Sequence, residues 1–313
     1  MRTDLANVPV VSVVMTAKDQ EPYISAAIES ILDQSYTDFE LIVIDDGSTD
    51  RTGQIIQEIA ARDPRVVVSS CPTRGRVPCL NHALSVVRGR YIAIMDADDL
   101  SHPERLRLQV EYLEANPDVQ VLGSRHADLR QNEFAIPPLV GRAVAMKPVM
   151  PRSRLRGFNI RPLPLMHATA LMRREALDRI GGYRRAFRHQ EDTDLFMRLE
   201  EVGEIRNLPE VLYFYRRHEN NTGRRHPVAQ TASWVLSVIL AKRRRRGRDD
   251  WADAASTGEI WRKLALHEPA LALHAGLLVL FQYMRKKRKH VAQHRWQKLA
   301  VGTVGSQMAQ SDT

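Results

Sequence analysis

The chain is poor in cysteine, has no long apolar run and lacks the usual glycine-rich phosphate loops. Each absence narrows what it does. Two cysteines among 313 residues, Cys71 and Cys79, exclude a disulfide scaffold and cannot complete an all-cysteine zinc site. They read as free thiols in a reducing compartment. Residues 1–8 carry Arg2 and Asp4 but no apolar core, so no secretory signal is expected and a cytoplasmic location is. No stretch reaches the ~18 uninterrupted apolar residues of a spanning helix. The nearest, Leu264 to Met284, is broken by His267, Glu268, Pro269, His274 and Gln282. The Asn220-Asn221-Thr222 sequon therefore carries little weight. Hydrophobic residues at 43% and charged residues at 27% are enough for a core and exclude wholesale disorder. Neither G-x-G-x-x-G after the first strand nor G-x-x-x-x-G-K-[ST] occurs. A nucleotide bound here needs a metal ion to balance its phosphates.

What is present begins with charge. The net charge is +9, and residues 241–300 hold fifteen Lys or Arg against five acids. The rest of the chain is close to neutral. A basic tail on a neutral body is a different object from a basic protein.

The first hundred residues alternate strand and helix patterns. The runs Val10 to Thr16, Phe39 to Ile44, Val66 to Val68 and Tyr91 to Met95 read as buried strands. Between them lie helices, one opened by Glu21-Pro22 with Ile24, Ala27, Ile28, Ile31 and Leu32 as its apolar stripe. Strands separated by helices imply parallel pairing through right-handed crossovers. All strand C-termini then share one edge, where open α/β sheets bind ligands. The polar residues that follow the strands are Thr16 and Asp19, Asp45 and Asp46, and Asp96, Asp98 and Asp99. Clustered carboxylates raise each other's pKa, so a cation or a set of donors should compensate them. Further on, 103–129 reads as a helix and a short strand, and 131–165 as an irregular loop, a candidate lid. Ala168 to Met172 and Val211 to Tyr215 read as strands, with helices at Arg174 to Ile180 and through Leu199. Residues 228–300 look helical and Arg-rich.

Asp96-Ala97-Asp98 at a strand end can aim two carboxylates at one ligand, and hard oxygen donors suit Mg²⁺ or Mn²⁺. The triplet equally admits a helix N-cap, with Asp98 or Asp99 capping the helix that Pro103 helps begin. Asp45 to Asp50 admits a tight turn, or a carboxylate accepting from a base imide or a ribose. A phosphohydrolase with an aspartyl nucleophile would need Asp-x-Asp-Gly-Thr, and the intervening residue is missing.

The residues together resemble the family 2 inverting glycosyltransferases, which have the A-type glycosyltransferase fold. The matching stretches are VSVVMTAKDQEPYISAAIESILDQSY, FELIVIDDGSTDRT, LNHALSVVRGRYIAIMDADDLSHPERL, ALMRREALDRIGGYRRAF, HQEDTDLFMRL and LPEVLYFYRRH, covering residues 10–218. The resemblance implies a mostly parallel sheet flanked by helices, with a donor half (1–130), an acceptor half (131–227) and a helical basic extension (228–313). It implies that Thr16 and Asp19 hold the base and that Asp46 receives its imide. Asp96 then lies on the ribose side, Asp98 is the metal ligand on the diphosphate, and Arg74 or Arg76 supplies a base or phosphate contact. Glu191-Asp192 resembles the family's Glu-Asp pair, with Asp192 as general base. His218 resembles a late His that reaches the metal or diphosphate. Two departures stand out: Lys18-Asp19-Gln20-Glu21 replaces Asn-x-Glu, and Leu80-Asn81 replaces Arg-Asn. As readings of single residues, Asp192 also suits an N-cap, His167 suits either an acceptor pocket or the core, and Arg198 suits local ion pairing.

The implied activity is metal-dependent transfer of a sugar, most commonly from a UDP-sugar, to a glycan or lipid-linked acceptor in cell-envelope polysaccharide synthesis. The alternative is a nucleotide-binding or basic scaffold protein without transfer activity. The basic tail, outside the resemblance, suits either peripheral contact with anionic lipid or packing on the catalytic domain or on another subunit. Few aromatics interleave with its basic runs, which argues against nucleic acid.

Overall fold

The computed structural model describes residues 8–71, 75–137, 144–145, 165–219, 226–251, 253–277, 279–280 and 284. Arg74, most of the 131–165 segment and Arg285 onward lie outside these residues. β1 (Val11–Ala17), β2 (Phe39–Asp45), β3 (Val66–Ser70) and β4 (Tyr91–Asp96) form in chain order, separated by α1 (Ile24–Leu32), α2 (Thr52–Ala60) and α3 (Arg76–Val86). The β-branched runs are covered on both faces, so no alternation of apolar and polar residues is seen in them. Ile24, Ala27, Ile28 and Ile31 of α1 are wholly buried, as the three-and-four spacing predicts.

These four strands lie in the order β3-β2-β1-β4 and all pair in parallel. Their register sets the site. Thr16 sits between Ile44 and Asp96, and Ala17 beside Asp45. The strand ends are therefore flush, and the residues that follow them leave the sheet at one edge.

Past β4 the sheet changes direction. β8 (Leu171–Arg173) runs antiparallel to β4, and β6 (Val119–Arg130) antiparallel to β8. β9 (Glu204–Arg217) then pairs in parallel with β6, and β5 (Leu100–Ser101) closes the order against β9. A two-residue β7 (Val144–Ala145) pairs with β6. The parallel pattern thus holds for the first four strands, and the remainder is mixed. β6 and β9, 12 and 14 residues long, extend well beyond the short strands read from sequence. Their register shifts break the apolar pattern, and charges such as Arg217 and Asp128, 2.8 Å apart, meet diagonally across the pair.

The other helices are α4 (Arg105–Ala115), α5 (Arg174–Ile180), α6 (Glu191–Leu199), α7 (Pro227–Arg244) and α8 (Thr257–His267). α7 buries Trp234, Val235, Val238 and Ile239 in the same core as Ile94 and Phe196. The chain after residue 227 therefore begins as a helix docked on the sheet body.

Arg105 staples the point where parallel pairing gives way to antiparallel. It is wholly buried. Its Nη2 donates to the carbonyls of Ile94 (2.9 Å) and Ala170 (3.3 Å), and its Nε to Gln109 (3.1 Å). Gln109 in turn donates to the carbonyls of Leu122 and Thr169, both at 2.9 Å. Burial pushes the guanidinium down to about 10, so it remains charged at neutral pH. Arg105→Leu would remove the guanidinium's bonds to Gln109 and to the Ile94 and Ala170 carbonyls in a dry interior. A loss of about 2–4 kcal/mol is expected, read by chemical denaturation; a loss below ~1 kcal/mol would show that the staple is dispensable.

Candidate active site

The loop after β1 is fastened to the loop after β2. Asp19, at φ +50°, accepts at Oδ1 from the Thr49 backbone N–H (2.7 Å) and its own N–H donates to Ser48 Oγ (2.9 Å). The Gln20 and Glu21 N–H groups donate to Thr52 and Asp50. Asp45 accepts from the Ser48 N–H and hydroxyl. Asp19 and Asp45 thus shape the rim with their carboxylates. Asp46 lies beside them: its N–H donates to the Ala17 carbonyl, and its Oδ1 accepts from Gly75 N–H at 2.7 Å. Gly75, at φ +116°, starts α3 and so places Arg76.

Arg76 joins the end of β4 to the start of α6. Its Nη2 donates to Asp96 Oδ1 and its Nε to Glu191 Oε1, each at 2.9 Å. Asp96 ends β4, whereas Glu191 begins α6. Burial pushes the Asp96 carboxyl up, but the Arg76 charge outweighs it and the net pKa is lowered. Burial also opposes the charge on Arg76, which Asp96 and Glu191 outweigh, so the guanidinium is firmly held as a cation.

Asp192 follows Glu191 in the first turn of α6. It does not cap the helix: Gln190 holds that position, in the left-handed region, without a side-chain cap. Its Oδ1 accepts from Thr193 N–H at 2.7 Å. Burial, then the neighbouring Glu191 charge, push the Asp192 carboxyl up to about 6. Behind it, His167 is buried, its Nε2 2.7 Å from the Tyr183 hydroxyl and its Nδ1 3.4 Å from Arg76. Burial and Arg76 push His167 down to about 3, so the ring is neutral at physiological pH. Tyr183 is itself clamped by Asn81, which accepts from its N–H (2.9 Å) and donates to its carbonyl (2.8 Å). The second residue of the divergent Leu80-Asn81 pair therefore holds a site wall. Arg198 binds Asp194 (2.9 Å) and the carbonyls of Ile180 and Gly182, the local role read from sequence.

Asp98 and Asp99 part company. Asp98 Oδ2 lies 2.8 Å from His218 Nε2, joining β4's end to the residue after β9. Asp99 is wholly buried and accepts from the Tyr213 hydroxyl (2.8 Å) and Arg216 N–H (2.7 Å). Neither caps α4, which starts at Arg105 after Glu104 with no side-chain cap, because a short strand and a turn intervene. The capping alternative for the triplet is therefore excluded. Arg216 also donates through Nε to the Asp98 carbonyl at 2.6 Å, and its guanidinium lies 4.8 Å from the Tyr23 ring centre. Tyr183, Tyr213 and Arg216 were invisible as site residues in the sequence; only the matched YFYRRH stretch pointed near the last two.

Among the described residues no group of three or more His, Cys, Asp and Glu is poised around a metal. At Asp98 and His218 an oxygen and a nitrogen converge, donors that fit a divalent ion, with the Asp98 side chain 18% exposed to admit further ligands.

Residues 12–181 match the family model described as glycosyl transferase family 2. The chain belongs to that family. It is 39% identical over 241 residues to the putative glycosyltransferase EpsE of Bacillus subtilis, covering 75% of this chain and 83% of that one. It is 29% identical to the chondroitin synthase of Escherichia coli, over 70% of this chain but only 30% of that longer protein. Among solved structures, S. aureus TarS 1–349 in complex with UDP-GlcNAc superposes with a TM-score of 0.56 at 20% identity, covering 74% of this chain and 66% of that one. The mannosyltransferase PcManGT from Pyrobaculum calidifontis, in complex with GDP-Man and Mn²⁺, gives 0.56 at 20% identity over 88% and 81%. These likenesses show that the glycosyltransferase has the fold of that family, mixed beyond β4.

The raised Asp192 pKa carries a stability signature. A carboxyl whose folded pKa lies above its unfolded value favours folding while protonated, and that contribution is lost as pH rises through about 6. Asp192→Asn should therefore raise stability at pH 7 by roughly 1–3 kcal/mol and leave it nearly unchanged near pH 4. Thermal unfolding at both pH values checks this; equal or lower stability at pH 7 would refute it.

Proposed function

We propose that this glycosyltransferase moves a sugar from a nucleotide-sugar donor, a UDP-sugar, to a hydroxyl acceptor with inversion at the anomeric carbon. The observation that carries the reading is the Arg76 bridge, which ties donor-side Asp96 to acceptor-side Glu191 beside the raised carboxyl of Asp192. Nucleotide sugars bound to TarS and PcManGT in this fold support the donor class.

In this reading Thr16, Asp19 and Asp46 line the base end, with Asp46 oriented by Gly75. Asp96 and Arg76 face the ribose and diphosphate. Asp98 and His218 hold Mn²⁺ or Mg²⁺, which when bound supplies Lewis-acid stabilisation of the leaving diphosphate. Asp192 accepts the acceptor hydroxyl's proton as that oxygen attacks. A base with a pKa near 6 is ionised at neutral pH yet more basic than an ordinary aspartate, which suits this task. Neutral His167 and Tyr183 wall the pocket behind Arg76. The acceptor is a glycan or lipid-linked glycan of cell-envelope polysaccharide, a class supported by the likeness to a chondroitin synthase. Membership of a glycosyltransferase family favours this reading over a nucleotide-binding or basic scaffold protein without transfer activity.

Asp192→Asn should lower kcat by about 10²–10⁴-fold with nucleoside diphosphate affinity retained, and wild-type turnover should fall as pH drops through about 6. Unchanged turnover would remove Asp192 from the reaction. Asp98→Ala and His218→Ala should each weaken the Mn²⁺ dependence of diphosphate binding by about tenfold or more, measured by calorimetry. Metal dependence equal to wild type in both would overturn the ligand assignment.

A further inference from the structure

The first basic cluster of the tail is engaged by the protein's own acids. Arg244 pairs with Glu201 (2.9 Å) and Asp250 (3.0 Å), and Arg245 with Glu200 (3.0 Å). Arg243 pairs with Glu268 and lies 4.0 Å from the Trp251 ring centre. These cations are held within the fold and are poor candidates for an external anion.

The chain after α8 is built differently. Described residues 269–277, 279–280 and 284 are helical. One side of this helix is docked: Ala275 is wholly buried, and Leu271, Ala272 and Val279 pack against the core. The other side is also apolar but faces solvent. Leu273 is 68% exposed, Leu277 57%, Leu280 52% and Met284 46%. Leu273, Leu277 and Leu280, spaced by four and three residues, fall in one stripe. A stripe of large apolar side chains held outward by a docked opposite face marks an interaction surface. In sequence it leads directly into Arg285-Lys286-Lys287-Arg288-Lys289.

We infer that this stripe is a docking surface for an anionic lipid bilayer. An apolar helix face immediately followed by consecutive cations combines burial among acyl chains with attraction to acidic headgroups. The helix lies on the membrane instead of crossing it: its other face is engaged with the protein, and no described helix is long and apolar enough to span. A second copy of the chain fits less well, since two such cation runs would repel each other. The stripe supplies no residue to the active site, so this inference and the transfer mechanism fail independently.

The test is flotation of the full chain with vesicles of phosphatidylcholine alone or with roughly 30% phosphatidylglycerol. Wild type should float with the anionic vesicles only and be released by salt. Leu273→Glu/Leu277→Glu/Leu280→Glu should lose at least about tenfold in binding with an unchanged thermal midpoint, since the three side chains are mostly exposed. Replacing all of Arg285 to Lys289 by Gln should abolish the preference for anionic lipid without touching the stripe, which keeps the question answerable if the triple variant misfolds. Failure of wild type to float, or equal flotation of either variant, would overturn the inference. So would a wild-type dimer in light scattering that the stripe variant dissolves while lipid binding is nil.

Discussion

One guanidinium holds the site together. Arg76 reaches Asp96, 20 residues on in sequence, and Glu191, 115 residues on. Without a cation between them, two carboxylates far apart in the chain would meet in a semi-buried cleft and repel. The rest of the arrangement follows from where Arg76 stands. Gly75, whose positive φ and bond to Asp46 start α3, sets the guanidinium's origin. His167 is held neutral behind it by burial and by its charge. Asp192 follows Glu191 on α6, and burial together with that neighbouring charge pushes its carboxyl up.

The acidic rim is less uniform than a count of carboxylates suggests. Asp19 and Asp45 accept from backbone N–H groups and hydroxyls of the facing loops, and so define its shape. Asp99 is sealed inside, pushed up in pKa by burial and by Asp98 and Asp96, and satisfied by Tyr213 and Arg216. That leaves Asp46, Asp96 and Asp98 along the edge. The compensation that clustered carboxylates require is met by donors, by one arginine and by one histidine. Arg216 links these levels, since one residue donates to Asp99 from its backbone, to the Asp98 carbonyl from its side chain, and covers Tyr23 with its guanidinium.

The gathering of these acids at one edge was legible because it needs only local patterns. Buried β-branched runs, a helix stripe and acids just past the strand ends fix a parallel sheet and its ligand edge. The partners were not legible. Nothing near Asp98 in sequence indicates that His218, 120 residues on, would meet it, and the family resemblance alone suggested that pairing. β6 and β9 were read as short because charged and bulged positions interrupt their apolar signal. Capping was a fair reading of Asp98-Asp99 from composition, but the two-residue β5 delays α4 to Arg105. Propensity names the residue types at such a junction; it does not count the residues before the next helix starts.

The arginine run Arg243 to Arg246 shows how far charge on a sequence differs from charge on a surface. Read alone, four consecutive cations suggest a partner of opposite sign outside the protein. In the fold, α7 lies against α6, and the turn after α6 brings Glu200 and Glu201 to Arg245 and Arg244. Asp250, buried beside them, also binds Arg184, so a cation from the body and one from the tail share a carboxylate. Trp234, Val235, Val238 and Ile239 bury the apolar side of α7 in the core of the sheet body. With its apolar face and most of its cations both committed inward, this helix is part of the catalytic body's wall. The later helix differs, since there an apolar stripe faces solvent.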